Sequence, residues 1–299
     1  MKSTVSLQAT GVLFTLIGAV LWGGMGTGSE FVQHNRSMSV EFLISCRLLL
    51  GGSLLVLYMF LKEPTTMLSL LRNRFDLWEV GVFGVLGVAL CQYSYSRAIF
   101  YAGAGVATVL QYLAPVLIIF YMFIVHHKKP NRMEVIGVVV AIVGLLCIVF
   151  KSGLNLEGID ERVIFWGLLS AVVVSIYTVY PVRLLEKYGT LPVVGLGMLI
   201  GGMLFTPIFT PFEISWVWDQ TTFLVMGYII VLGTVIAFSS YLEGVRIIGA
   251  VQGSVLSSLE PVAAAFFSWI ILGTSFAFLE LVGFTLIIST IFILAMAKE

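Results

Sequence analysis

Apolar residues follow one another along this chain in long continuous blocks, separated by short polar stretches, and no block alternates with a period of two. The blocks cover 8–31, 39–61, 77–101, 103–125, 132–150, 163–183, 192–210, 222–245, 249–272 and 277–296. A hydrocarbon core ~30 Å thick is crossed by ~20 helical residues, so each block predicts one transmembrane helix. Strands of a membrane barrel would instead alternate apolar and polar positions. The predicted class is an all-α polytopic membrane protein of ten helices. Several connections are only a few residues long, which makes sequential helices antiparallel. The first block follows Lys2, but it is longer than the apolar core of a signal peptide and no cleavage site follows, so it is read as a span.

Composition agrees. Hydrophobic residues make up 59% of the 299 and charged residues 11%, with a mean hydropathy of +1.06. Soluble domains carry about 25% charged residues, so lipid is the expected solvent for most of this chain. The formal net charge is +0, which gives no footing for nucleic acid. Cys46, Cys91 and Cys147 lie within apolar blocks, away from any metal-ligand spacing, and read as small buried hydrophobes. Cationic residues set the orientation, because cytoplasmic loops are enriched in them. With the N-terminus inside, Lys2, Lys62, Arg72, Arg74, Lys128, Lys129, Arg132, Arg183, Lys187, Arg246 and Lys298 fall inside, and only Arg36, Lys151 and Arg162 fall outside. Both termini are therefore expected in the cytoplasm.

Sliding the chain against itself by 146 positions places Gly81 on Gly227, Gly87 on Gly233, Tyr95 on Tyr241, Gly103-Ala104 on Gly249-Ala250, Pro115 on Pro261, Glu134 on Glu280 and Gly137 on Gly283. Leu21-Trp22 also matches Ile176-Tyr177 loosely, at a shift near 155. This divides the chain into two five-helix repeats, 1–150 and 151–299. An odd number of helices per repeat inverts the second copy, a recurrent plan of secondary transporters with the substrate site near the midplane. A duplicated scaffold that transports nothing would share the same repeat.

Glu260 lies eleven residues into its block, or ~16 Å along a helix, near the centre of the hydrocarbon. Acids at that depth cost about 2.5–3.5 kcal/mol on insertion scales, and face a bundle interior or a wet cavity. Pro261 has no N–H, which frees the carbonyl of Ser257; Pro115 does the same to Gln111. Ser254, Ser257 and Glu260 fall on one helical face, with Thr108 and Gln111 as the corresponding stripe in the first repeat. Trp22, Gln92, Tyr95, Tyr177 and Ser240 are further candidates to line a cavity. The plainer alternative is a proline kink with one structural hydrogen bond from Glu260. Arg47 reads as structural, about two turns from the outer end of its helix, where it could snorkel or bind a helix end. Arg97 and Glu243 are equivalent under the offset and read as interfacial anchors, with gating pairs as the alternative. The aspartates at 76, 160 and 219 are all in loops, and so are His34, His126 and His127. The sequence contains no HExxH or GxSxG motif and no nucleotide-binding domain. It therefore predicts neither an enzyme nor a cofactor-binding protein.

Gly103-Ala104, Pro115, Glu134-x-x-Gly137, Leu259-Glu260-Pro261 and Glu280-x-x-Gly283 resemble the EamA family of the drug/metabolite transporter superfamily, over essentially the whole chain. The resemblance implies a bacterial inner-membrane carrier, often an exporter of amino acids or other small metabolites, working by alternating access. It also implies a cavity built from spans one, three, four, six, eight and nine. Relatives often carry Gly-Glu after spans four and nine, where this chain reads His126-His127-Lys128 and Gly273-Thr274.

The expected cargo is an amino acid or organic cation, with or without a coupled proton, since the deepest charge is negative and no cation lies deep in spans four or nine. A nucleotide-sugar or phosphorylated-metabolite exchanger is the rival within the superfamily. The expected partners are the small-molecule substrate and the bilayer, and the protein is expected as a monomer or homo-oligomer.

Overall fold

A computed structural model describes residues 2–149, 161–209, 217–272 and 276–296, and every element among them is helical. Lys151, Asp160, Gly273, Thr274 and Lys298 lie outside the described residues. The helices are α1 (Lys2–His34), α2 (Val40–Lys62), α3 (Pro64–Arg72), α4 (Arg74–Val82), α5 (Leu90–Gln111), α6 (Ala114–His126), α7 (Arg132–Val149), α8 (Glu161–Val179), α9 (Val182–Tyr188), α10 (Thr190–Phe209), α11 (Gln220–Gly227), α12 (Ala237–Ile248), α13 (Ala250–Leu256), α14 (Leu259–Leu272) and α15 (Phe278–Ala295). Among the described residues, seven helical stretches are long and apolar enough to cross a membrane. Large apolar side chains face outward, such as Leu57, Trp78, Phe120 and Phe292, while Thr15, Ser94, Ser170 and Thr178 are buried. Apolar surface on this scale needs lipid around it.

Two short π-helices join the pieces of the longer spans: Phe83–Ala89 connects α4 to α5, and Tyr228–Ile236 connects α11 to α12. They overlap almost completely at the offset of 146. The sequence does not announce them, because hydrophobic periodicity barely distinguishes a π turn from an α turn.

Helical backbone continues through α5, across the expected boundary between the third and fourth blocks. Even so, the hydroxyls of Tyr95 and Thr108 are 2.9 Å apart, thirteen residues along the chain. A straight helix would separate their backbones by ~20 Å, so the helix bends sharply between them. The corresponding bend in the second half is sharper. Gly249 interrupts α12 and α13 with φ +88°, a value that glycine adopts at no steric cost.

Breaks before the two prolines are alike as well. Residues 112–113 and 257–258 form turns, so Pro115 and Pro261 fall in the first turns of α6 and α14, where a missing N–H costs nothing. The paired acids cap helices. Glu134 Oε2 accepts the Asn131 N–H at 3.1 Å, and Glu280 Oε2 accepts the Ala277 N–H at 2.8 Å. The glycines three residues on serve packing: a Cβ on Gly283 would lie 2.5 Å from the Gly144 carbonyl oxygen, which fixes how closely α15 meets α7.

Packing pairs α2 with α10, α7 with α15, α1 with α12 and α14, and α8 with α5 and α6. Other differences lie at the ends of the expected blocks. The first helix reaches His34, the sixth stops at Val179 before the separate α9, and α3 is an extra short helix after α2.

Candidate functional site

α14 starts immediately after the break at 257–258, so Glu260 sits in its first turn, where the helix dipole favours an acid. α1 packs directly against it. A Cβ on Gly23 would stand 2.7 Å from the Glu260 carbonyl oxygen, so glycine is what lets the two backbones meet. Glu260 is 6% exposed. Its carboxylate accepts a hydrogen bond from the Tyr95 hydroxyl at 3.0 Å, and Tyr95 in turn contacts Thr108. No cation pairs with Glu260 among the described residues.

The carbonyl freed by Pro261 has two partners, the first being the Glu260 N–H at 2.9 Å. The Tyr112 hydroxyl donates to the Ser257 carbonyl oxygen, and its oxygen also lies 3.4 Å from Glu260 Oε2, at the long end of hydrogen bonding. Tyr112 thus ties the broken stretch of one half to that of the other. Sequence reasoning missed it, although it follows Gln111 directly, because a tyrosine in an aromatic-rich span carries no signal of its direction.

Two small cavities adjoin this cluster. The first, of about 40 Å³, is lined by Trp22, Met25, Arg47, Cys91, Gln92, Tyr95, Gln111, Val174, Tyr177, Phe238 and Glu260. The second, of about 30 Å³, shares Trp22, Gln111, Val174 and Glu260 and adds Tyr112, Ala114, Pro115, Thr178, Tyr241, Ser254 and Ser257. Each has room for about two or three waters.

Of the sequence-derived candidates, Trp22, Gln92, Tyr95, Gln111, Tyr177, Ser254, Ser257, Glu260 and Pro115 line these cavities. Thr108 supports Tyr95 without lining either. Ser240 lines neither cavity, and Pro261 acts only through the helix break. The serine stripe is also less open than expected: Ser254 donates to the Val251 carbonyl and Ser257 to the Ser254 carbonyl, which occupies their hydroxyl protons. By contrast, the Trp22 indole N–H and both amide atoms of Gln92 are buried without a hydrogen-bond partner. Aromatic walls complete the site, with Trp22 5.0 Å from Phe238 and 4.9 Å from Tyr241 between ring centroids.

Arg47 corrects one part of the sequence reading. It does not snorkel, being 1% exposed, and it supplies the cavity with a cation from α2. Its Nε donates to Thr234 Oγ1 at 3.0 Å and its Nη2 reaches Met25 Sδ at 2.9 Å. Thr234 belongs to the Tyr228–Ile236 π-helix and donates to the Ile229 carbonyl, so the π turn holds the guanidinium. The clue was a charge inside a span; which face of the helix it occupied was not legible.

Arg97 and Glu243 are bound across helices rather than anchored at the interface alone. Arg97 pairs with Glu41 of α2 and donates to Tyr93 at 3.0 Å, while Glu243 pairs with Arg246 and accepts from Thr190 of α10.

Comparison with known proteins places this geometry in context. The sequence profile of the EamA-like transporter family matches residues 9–150 and 161–296. An uncharacterized inner membrane transporter, YicL of Salmonella typhimurium, is 32% identical over 286 residues, 96% of this chain and 95% of that protein. An uncharacterized transporter of Clostridium kluyveri is 24% identical, covering 93% of this chain and 90% of its own. A protein crystal structure superposes with a TM-score of 0.78 over 96% of this chain and 97% of the other, at 19% identity, which shows a shared fold.

Proposed function

Because the chain belongs to the EamA-like transporter family and is a multi-pass membrane protein, we propose that it is a secondary-active or facilitative exporter of amino acids or organic cations in a bacterial inner membrane. It works by alternating access around a cavity at the midplane, without catalysis of its own. The observation that carries this is Glu260: a buried acid with no cationic partner among the described residues, set where two helices break, beside cavities lined from spans one, two, three, four, six, eight and nine.

An inverted repeat of two five-helix halves, 1–150 and 151–299, supports the alternating-access reading. The π-helices, proline breaks and capping acids recur near the offset of 146. The rims also correspond. Arg36, just after α1, pairs with Asp219 before α11 at 2.8 Å, and Arg183, just after α8, pairs with Asp76 at the start of α4. With both termini inside, the first pair closes the outer rim and the second the inner rim. Opening either face parts one pair while the other holds.

The phosphorylated-metabolite alternative gains one cation from Arg47. However, that cation faces a carboxylate in the same cavity, a poor match for a dianion. The test is counterflow in proteoliposomes across a panel of amino acids and organic amines, with ligand-linked thermal stabilisation as a second readout. Flux or stabilisation for one class is expected. Neither, for any compound, would leave the protein a scaffold.

A further inference from the structure

Arg47 and Glu260 line the same 40 Å³ cavity, one from α2 and one from α14, and they make no ion pair with each other. Each is more than nine-tenths buried. Among the described lining residues they are the one cation and the one anion. A charge held in low dielectric is costly unless it is paired and hydrogen-bonded. Arg47 has five N–H donors; the structure gives one of them a hydroxyl and another only a thioether, a weak acceptor. The same cavity is lined by Gln92, 2% exposed with neither amide atom bonded, and by Trp22, whose indole N–H is unbonded. Buried polar groups left unpaired are exceptions that need a partner, and three such atoms and two charges line this one space.

We propose that Arg47 and Glu260 are the two poles of one recognition site, and that the cargo is a zwitterion. Its carboxylate lies on the Arg47 guanidinium and its ammonium on Glu260. The planar guanidinium can hold a carboxylate with two parallel hydrogen bonds, and the Gln92 amide and Trp22 N–H complete themselves on the same molecule. This rests on the carrier reading above and narrows it, since an organic cation would leave Arg47 unanswered. It also gives Arg47 a role as a specificity-determining residue. The hydrogen bond to Thr234 then has a purpose: it fixes the fork so that the free N–H edge faces the cavity.

The test compares three forms of one side chain in proteoliposome counterflow: the free amino acid, its decarboxylated amine and its N-acetyl acid. Alanine, leucine and phenylalanine supply a small, a branched and an aromatic series. The free amino acid of at least one series is expected to move about tenfold faster or more than its two single-charge relatives, the factor for one lost charged contact. Arg47→Gln is expected to abolish the preference for the amino acid over the amine, and Arg47→Lys to keep part of it. Wild-type discrimination decides the matter even if Arg47→Gln fails to fold. Equal flux of amine and amino acid overturns the zwitterion assignment and leaves the carrier reading standing, as does a folded Arg47→Gln that keeps the wild-type ratio. Absence of flux for all nine compounds overturns the assignment too; the carrier reading falls only if the wider panel is also silent.

Discussion

Tyr112 shows how a single hydroxyl can hold a broken helix together. Pro261 removes the donor four residues on, the Ser257 carbonyl takes the Glu260 N–H at 2.9 Å instead, and the phenol of the opposite half donates to it as well. A typical intramolecular hydrogen bond contributes about 0.5–1.5 kcal/mol net. Tyr112→Phe is therefore expected to lower thermal stability in detergent by that amount while keeping the ring in place. An unchanged melting temperature would mean that water replaces the hydroxyl. The presence of Glu260 and its proline could be read directly from the sequence, since an acid in an apolar block has few alternatives to an interior position. Tyr112 and Arg47 were not legible in the same way. Both depend on which way a side chain points from a helix whose sides are all apolar enough to give no answer.

Elements in the two halves repeat the same solutions. The acid of each Glu-x-x-Gly motif caps its helix, and in α15 the glycine then sets the approach to the neighbouring helix. Overpacking such a contact costs about 1–3 kcal/mol. Gly283→Leu is expected to destabilise the α7–α15 pair by roughly this amount. Gly227→Ala, where an added Cβ meets nothing within 4 Å, is expected to be neutral or slightly stabilising. Thermal unfolding of the two variants in the same detergent checks the contrast. Ten spans are the block-length expectation, and seven stretches among the described residues are long and apolar enough to cross a membrane. The proline breaks followed from the chemistry of proline. The π-helices did not, because the extra residue per turn changes the hydrophobic pattern too little over seven or nine residues. Their positions do coincide with the glycines at 84, 87 and 233, each of which admits a close neighbour.

At the scale of the whole molecule, the proposed cycle gives the rim pairs control of which face is closed. Asp219 caps α11 through the Thr222 N–H at 2.7 Å and pairs with Arg36. The Thr222 backbone donor, followed by its hydroxyl and by Arg36, holds the Asp219 carboxyl below the usual range. A depressed carboxylate contributes stability that is full above its ordinary pKa and is lost as pH falls through the lowered value. Acidification is therefore expected to speed hydrogen exchange around 217–222, and Asp219→Asn should show the faster exchange already at neutral pH if the ion pair matters beyond the cap. The apolar blocks and the expected orientation were read from composition and the distribution of charge. The size of the cavities was not, because side-chain packing is not written in composition.

All three scales meet at Glu260, and one experiment tests it most directly. Uptake of a transported amino acid into proteoliposomes is measured for wild type and Glu260→Gln, with and without an imposed pH gradient. The expected result is that wild type transports and that Glu260→Gln loses transport or its response to the gradient. Unchanged flux and unchanged gradient response in Glu260→Gln would contradict the account and leave the acid a structural hydrogen-bond acceptor for Tyr95.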